Sequence, residues 1–284
     1  MRATVVIPTY NRKEILLSTF DFWKKQTVKD FEIIIIDDNS TDGTSQAIEK
    51  YVSESGDLNI RVIRNERTMG SADGRNKGAL YSNSDIIIYT DDDAYPSNKF
   101  IETHVLYHTR FRNAIVRGPI INFSDYSRLD FFFEKAVRDK NFLILRGYSG
   151  NYFCTANVSI RKELIFKTGL FNLEFNRWQD AEFGYRLRKL GIRRFFDFNA
   201  WVLHYKTPHQ DPFKHYYNEG KYAAKLVKYH PCMSTFLRTG FIPNYPLWKL
   251  IQLLDINSIK EFLPQGWYNK LAYIKGFCEE YRTK

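Results

Sequence analysis

The sequence predicts an α/β fold: a doubly wound, mainly parallel sheet flanked by helices, with a helical appendage at its C-terminal end. Three observations carry that expectation. Strand and helix patterns alternate through the first two-thirds of the 284 residues, which is how βα units read in a sequence. The runs Ile33–Ile36 and Ile86–Ile88 are apolar at every position, as strands covered by helices on both faces must be. Polar clusters follow several strand patterns directly, at the carboxyl ends of strands where open α/β sheets bind ligands.

Taken in order, Thr4–Ile7, Phe31–Ile36, Ile60–Ile63, Asp85–Tyr89 and Ala114–Val116 read as strands. Helical patterns fall between them at Lys13–Lys25, Thr44–Val52, Ser71–Ser82 and Ser97–His108. Asp42-Gly43-Thr44 and Pro96-Ser97 supply the stop-and-cap signals for the second and fourth. Asp125–Lys140 reads as one helix, 147–151 as a loop and Phe153–Ile160 as a strand. Arg177–Leu190 is helical, with Phe183, Leu187 and Leu190 at core spacing and Glu182 four residues from Arg186. Phe195–Phe198 and Ala200–His204 close the pattern as strands. Composition then changes: residues 205–284 carry twelve Lys and Arg against six Asp and Glu, and sixteen of these residues are aromatic. Phe213–Tyr229 is helical, followed by short helices punctuated by Pro231, Pro243, Pro246 and Pro264. Two readings stand for this region: a basic, aromatic appendage at a membrane interface, or a helical subdomain packed on the sheet with its lysines in water. The expected division is a catalytic domain over 1–205, with halves near 1–115 and 116–205, and a helical region over 206–284.

Composition narrows the function. At 44% hydrophobic the chain can build a sizeable core, and 42 Lys+Arg against 32 Asp+Glu leave it at +10. That charge suits acidic partners such as nucleotides or an anionic membrane surface. Cys154, Cys232 and Cys278 form no CxxC, the usage of a reducing compartment without a zinc site. Met1–Thr4 lead into a strand run broken by Pro8, the pattern of neither a signal peptide nor a membrane span. A cytoplasmic protein, peripheral at the inner face of the membrane if the appendage binds there, is the expected location. Lys and Arg do not cluster with aromatics in a nucleic-acid module, so nucleic acid is not an expected partner. A homodimer through the C-terminal helices is the other expected use of that region.

The residues with chemical content follow. Ile86–Thr90 run into Asp91-Asp92-Asp93. Three adjacent carboxylates repel, and a divalent cation with a polyphosphate ligand removes that cost; an acidic loop tip or a helix cap is the alternative. Val6–Arg12 and Ile36–Gly43 place Thr9, Tyr10 and Asp38 just past strand ends, where a carboxylate can accept from a base or ribose and Tyr10 can stack. Asp38 in Asp-Asn-Ser equally suits a turn. Thr68–Gly78 opens the third helix with Arg75, Lys77 and glycines able to approach a phosphate or ribose, without the P-loop order GxxxxGK[ST]. His204 ends a strand as either a metal ligand or a hydrogen-bonded structural residue. Asn157, Trp178 and Gln179 read as acceptor-side residues, the first two equally as core or turn positions. Lys206 reads as a phosphate contact or a solvated lysine.

VIPTYNR, IIIDDNSTDGT, GSADGRNKGAL, IIIYTDDDA, TANVSIRKELIFKTGLFN and WQDAEFGYRLRKLG, in this order and spacing, resemble the family 2 glycosyltransferases of the GT-A fold. The resemblance covers residues 1 to about 205, and FKHYYNEGKYAAKLVKYHP resembles a helix that often follows. It implies that Thr9, Tyr10, Asp38 and Arg75 hold the nucleoside of a nucleotide-sugar donor. It implies that Asp93 ligates Mn²⁺ or Mg²⁺, with Asp91 and Asp92 on ribose or metal-bound water, and that His204 approaches metal or diphosphate. Asp180 matches the catalytic base, and Gln179 stands where the family often has Glu.

The chemistry asks for the same groups. A departing diphosphate gains negative charge that a cation and basic side chains stabilise, and the acceptor hydroxyl needs a base on the opposite face. One base with direct displacement inverts the anomeric centre. Asp180, three residues before the core residue Phe183, should face the protein body. Burial would raise its pKa and the helix N-terminus would lower it; alternatively it merely complements the helix dipole. The expected activity is therefore metal-dependent, inverting sugar transfer, from a UDP-sugar, to a saccharide or glycolipid. A non-catalytic nucleotide-sugar or polysaccharide binder is the competing reading. A nucleotidyltransferase would show a Gly-rich, basic signature near the first strand, which VIPTYNR lacks.

Overall fold

A computed structural model describes residues 2–147, 151–207, 211–230 and 264–282. The chain forms two compact units, Met1–Glu174 with Gln179–Thr207, and Phe175–Trp178 with Pro208–Lys284. The first unit runs β1 (Ala3–Thr9), α1 (Lys13–Lys24), β2 (Phe31–Asp37), α2 (Thr44–Ser55), β3 (Ile60–Arg64), α3 (Ser71–Tyr81), β4 (Ile86–Thr90), β5 (Ala94–Pro96) and α4 (Phe100–Arg110). It continues with β6 (Ala114–Arg117), β7 (Ile120–Phe123), α5 (Leu129–Arg138), α6 (Lys140–Gly147), β8 (Asn157–Arg161), α7 (Lys162–Thr168), α8 (Gln179–Lys189), β9 (Arg193–Phe196) and β10 (Val202–Tyr205).

Seven strands make the central sheet in the order β3-β2-β1-β4-β8-β6-β9. Only β8 runs against its neighbours, β4 and β6; the other pairs are parallel. Successive side chains alternate between two cores, as the two-residue period of a strand requires. Val5, Ile7, Ile33, Ile35 and Ile88 meet Phe20, Trp23 and Phe100 on one face. Val6, Ile87, Tyr89, Val158 and Ile160 meet Phe153, Phe171, Phe183 and Leu187 on the other. A second sheet, β5-β10-β7, was not foreseen in full: β5 is three residues ending in proline and β7 four, too short for a periodic signal.

Two other departures have local causes. The single helix expected over Asp125–Lys140 is broken at Asp139, whose backbone is extended (φ −118°, ψ 97°). Its carboxylate accepts from Phe142 N at 3.1 Å and starts α6, the side-chain competition that makes Asp a better cap than an interior residue. The glycines of α3 also serve differently from the phosphate approach expected of them. A Cβ on Gly78 would lie 2.2 Å from Val6 Cγ1, and one on Gly74 would lie 3.1 Å from Pro8 Cβ. Both let α3 lie flat on β1.

Gly78→Ala is therefore expected to destabilise the fold by about 1–3 kcal/mol, the usual cost of overpacking a filled core. Val6 is stiff at χ1 and wholly buried, so it cannot swing aside. Urea titration reads this directly. A midpoint equal to that of the wild type would mean that α3 lifts from β1 without cost.

In the second unit, α9 (Pro212–Tyr229) begins with Asp211, whose carboxylate accepts from Lys214 N at 3.0 Å, and with Pro212 in the first turn. It packs on α10 (Gln265–Arg282) through reciprocal glycines. Gly220 lies against the backbone of Tyr273, and Gly276 against that of Tyr217. Contacts advance together along both helices, from Phe213 on Tyr268 to Lys228 Nζ on Glu280 O at 2.6 Å, so the two run parallel. Ala223, Ala224, Val227, Ile274 and Phe277 form the seam. The short helices expected between 231 and 263, and Cys232, lie outside the described residues. Among the described residues, no helix is long and apolar enough to cross a membrane.

Candidate active site

The site is built on the end of β4. Thr90 anchors that end by donating to Ala156 O at 3.1 Å. The chain then turns through Asp91, Asp92 and Asp93 into β5, with Ala94 N bonded to Asp91 O. β5 pairs antiparallel with β10, which sets His204 opposite Ala94, and Tyr205 N donates to Asp93 O at 3.0 Å. That register delivers His204 Nε2 to 2.7 Å from Asp93 Oδ1 and 3.4 Å from Asp91 Oδ2. Ligand atoms from Asp91, Asp93 and His204 all lie within 4.8 Å of one another. Asp93 Oδ1 is buried and, among the described residues, accepts no hydrogen bond beyond the approach of His204.

The three acids are balanced by cations on other elements. Arg12 reaches Asp93 Oδ2 at 2.7 Å and Asp92 Oδ1 at 3.3 Å. Arg75, buried on α3, holds Asp91 at 3.0 Å. Thr9 donates to Asp92 at 2.7 Å. Burial pushes Asp92 up to about 7, Arg12 opposing and Asp93 assisting. For Asp91 burial also acts upward, but the hydrogen bond to His204 and the charges of Arg75 and His204 win and hold it below the ordinary range. Lys206 adds its charge in the same direction. For His204 burial acts downward, and the bonds to Asp91 and Asp93 outweigh it, raising it to about 9.

Arg12 was not singled out from the sequence, although it closes the VIPTYNR run. The loop after β1 aims it. Asn11 sits at φ 51°, donates its backbone N–H to Ser40 Oγ at 2.9 Å, and accepts from Thr41 N at 2.7 Å. Lys13 N bonds Asp42 at 3.0 Å. This loop is thereby tied to the one after β2, where Asp37 is buried and bound to Arg64 at 2.8 Å. Asp38 stands beside it with a different set of partners. Its carboxylate accepts from Asn65 Nδ2 (2.7 Å), Met69 N (2.8 Å) and Gly70 N (2.8 Å). The ring of Tyr10 is about half exposed.

Asp180 opens α8, where its carboxylate accepts from Ala181 N at 2.8 Å. The opposition expected from the sequence resolves toward burial. Its pKa is raised mainly by desolvation and further by Asp91, against Arg75, the Ala181 amide and Arg117. Asp180 therefore lies within electrostatic reach of the acid turn and of the arginine that holds it. Gln179 is buried and donates to Ser71 Oγ at 2.7 Å, tying the start of α8 to the start of α3. Cys154 shares this surround, and desolvation pushes its thiol up to about 11, with Asp180 acting in the same direction. Arg117, wholly buried at the end of β6, went unread because the apolar strand pattern stopped at Val116.

Two residues expected on the acceptor side have structural partners. Asn157 has no exposed surface. Its amide nitrogen donates to Pro119 O and Ala200 O, and its oxygen meets His104 Nε2 at 3.1 Å. It ties β8 to α4 and to the segments around Pro119 and Ala200, and next to it His104 and His108 flank Ser159 at 2.8 Å each. Trp178 takes a left-handed backbone (φ 63°) and packs its ring on the α9–α10 seam.

Comparison with known proteins bears on this arrangement. The family model described as Glycosyl transferase family 2 matches residues 4–168. Chondroitin synthase of Escherichia coli is 26% identical over 225 residues, covering 66% of this chain and 32% of that protein. Hyaluronan synthase of Pasteurella multocida is 26% identical over 246 residues, covering 74% of this chain and 24% of that protein. The chain thus spans less than a third of the length of these curated relatives. A mannosyltransferase from Pyrobaculum calidifontis, solved with GDP-Man and Mn²⁺, is similar at a TM-score of 0.65 and 16% identity, over 99% of this chain and 86% of that one. TarS of S. aureus (1–349) with UDP-GlcNAc is similar at 0.61 and 17%, over 100% and 91%. At such identities the structural likeness speaks for the fold, which is GT-A. With the family model matching more than half of its length, the chain belongs to the family 2 glycosyltransferases.

Proposed function

We propose that this chain moves a glycosyl group from a nucleoside diphosphate sugar to a hydroxyl of a saccharide or glycolipid, inverting the anomeric centre, with a divalent cation as cofactor and Asp180 as general base. The observation that carries this reading is the pairing of two differently tuned carboxylate groups around Arg75. The acid turn is balanced by Arg12, Arg75 and His204. Asp180, part-buried, has its pKa raised mainly by desolvation, and a raised pKa strengthens a carboxylate as a proton acceptor.

Asp91, Asp93 and His204 would hold the cation: their donor atoms converge, and a mixed nitrogen and oxygen set suits Mn²⁺ better than Mg²⁺. When bound, a divalent cation there counters the negative charge of a diphosphate leaving group. Arg75 fixes Asp91 on the donor side and lowers the cost of ionising Asp180. Asp180 accepts the proton of the acceptor hydroxyl as that oxygen attacks, and displacement from the face opposite the leaving group inverts the centre.

Asp38 supports a uracil base. An ionised carboxylate offers about four acceptor positions, and three are filled by Asn65, Met69 and Gly70. The remaining one suits uracil, which presents a single N–H, better than guanine, whose corresponding edge presents more. The structural relatives solved with GDP-Man and UDP-GlcNAc support a nucleotide-sugar donor in general. The chondroitin and hyaluronan synthases support a saccharide acceptor.

Calorimetry of UDP, GDP and dTDP, each with Mn²⁺ and with EDTA, tests the reading. UDP is expected to bind with Mn²⁺ and to lose that binding in EDTA. Tighter binding of GDP would overturn the uracil assignment. Binding of none of the three to folded protein would make the acid turn structural.

A further inference from the structure

We propose that α5 and α6 form a docking surface for an anionic lipid bilayer, built from residues other than those of the acid turn and Asp180. This goes beyond the proposed sugar transfer and does not rest on it. Five of the fifteen large apolar side chains exposed among the described residues fall between 126 and 147: Tyr126, Phe131, Val137, Ile144 and Leu145. Leu145 is 83% exposed, a costly placement for a leucine facing only water. The inner faces of these helices are already satisfied. Leu129, Ala136, Phe142 and Leu143 pack with Ile121, Phe123 and Leu203 of the small sheet. The outward apolar side chains therefore have no part in the core.

The cations decide the kind of partner. Arg128 lies 5.0 Å from the centre of the Phe131 ring, and Lys135 lies 5.9 Å from that ring and 5.4 Å from Phe142. Arg146 stands 5.9 Å from Phe142 on α6. Arg138 and Lys140 are exposed nearby. The cores of protein–protein interfaces exclude lysine and gather uncharged apolar area. Here Lys135 stands on the Phe131 and Phe142 rings themselves. At a bilayer interface that mixture is favourable: rings and leucine enter the headgroup boundary, while long basic side chains reach lipid phosphate. Asp130, Glu134 and Asp139 on the same stretch weaken the attraction, so binding should need both the apolar and the charged contribution.

Co-sedimentation with phosphatidylcholine vesicles, with and without phosphatidylglycerol, tests this on the whole chain without nucleotide, so it succeeds or fails independently of the sugar-transfer reading. Wild type is expected to bind the mixed vesicles, and less so in high salt. Lys135→Ala/Arg146→Ala and Phe131→Ser/Leu145→Ser should each weaken the partition roughly tenfold or more, with unchanged thermal melting since all four side chains are exposed. Absence of wild-type vesicle binding would overturn the proposal. So would binding that both double variants retain, which would move the contact elsewhere, for example to the C-terminal helices. A wild-type dimer that the Phe131→Ser/Leu145→Ser variant dissolves, without any vesicle binding, would assign the surface to a second copy instead.

Discussion

Asp180→Asn is expected to lower kcat by roughly 10²–10⁴-fold, the scale of losing a general base, and to leave Mn²⁺-dependent UDP binding unchanged. The replacement has the same shape, and its side-chain oxygen can still accept from Ala181 N, which Asp180 does at 2.8 Å. The start of α8 and its tie through Gln179 to Ser71 should therefore stay in place. What the variant cannot do is accept a proton. The pH profile gives an independent reading. Burial raises the pKa of Asp180 above the ordinary 3.8, and the base acts only when ionised. The rate of the wild type should fall as pH drops through that raised value, so the acid limb of kcat/KM should lie above 3.8, and the limb should vanish in the variant. Wild-type turnover in Asp180→Asn would remove Asp180 from the role of base.

How much of this could be read from the chain depends on how far each contact reaches. The βα alternation, the double-faced strands and the acid turn are local in sequence, and they appear where the residues predict them. Asp38 was legible as a polar residue past a strand end. Its three donors were not, because Asn65, Met69 and Gly70 reach it only across the β3–α3 connection. His204 was legible as a strand-end histidine with two open readings; its approach to Asp93 depends on β5, which is too short to announce itself. Arg12 sat in a recognised motif but gains meaning only from the loop ties that aim it. Gly78 carries no sign in the sequence that its missing Cβ is filled by Val6. The balance of burial against the helix terminus at Asp180 needed the packed surround to resolve it. Asn157 had both readings open from the residues alone; its burial and its bonds across layers support the structural one.

Asp93→Ala should abolish the metal-dependent part of UDP binding. Loss of an outer-shell partner alone typically costs 10–100-fold in metal affinity, so removing a ligand should cost at least roughly 100-fold. Asp93 occupies a position no neighbour can replace. One oxygen meets Arg12 at 2.7 Å and the other meets His204 at 2.7 Å, while Asp92 is already engaged by Thr9 and Arg12. Removing Asp93 leaves His204 with Asp91 at 3.4 Å and divides a converging set of three donors. Mn²⁺ titration followed by electron paramagnetic resonance, with and without UDP, measures this without any acceptor. Tight Mn²⁺-dependent UDP binding in Asp93→Ala would take Asp93 out of the metal role. The two variants should also fail differently: Asp93→Ala in binding with turnover lost as a consequence, Asp180→Asn in turnover with binding intact. Loss of binding in both would mean that the Asp180 substitution disturbs the donor site through Arg75, which lies within reach of both carboxylates, and the separation of donor and base duties around that arginine would have to be given up.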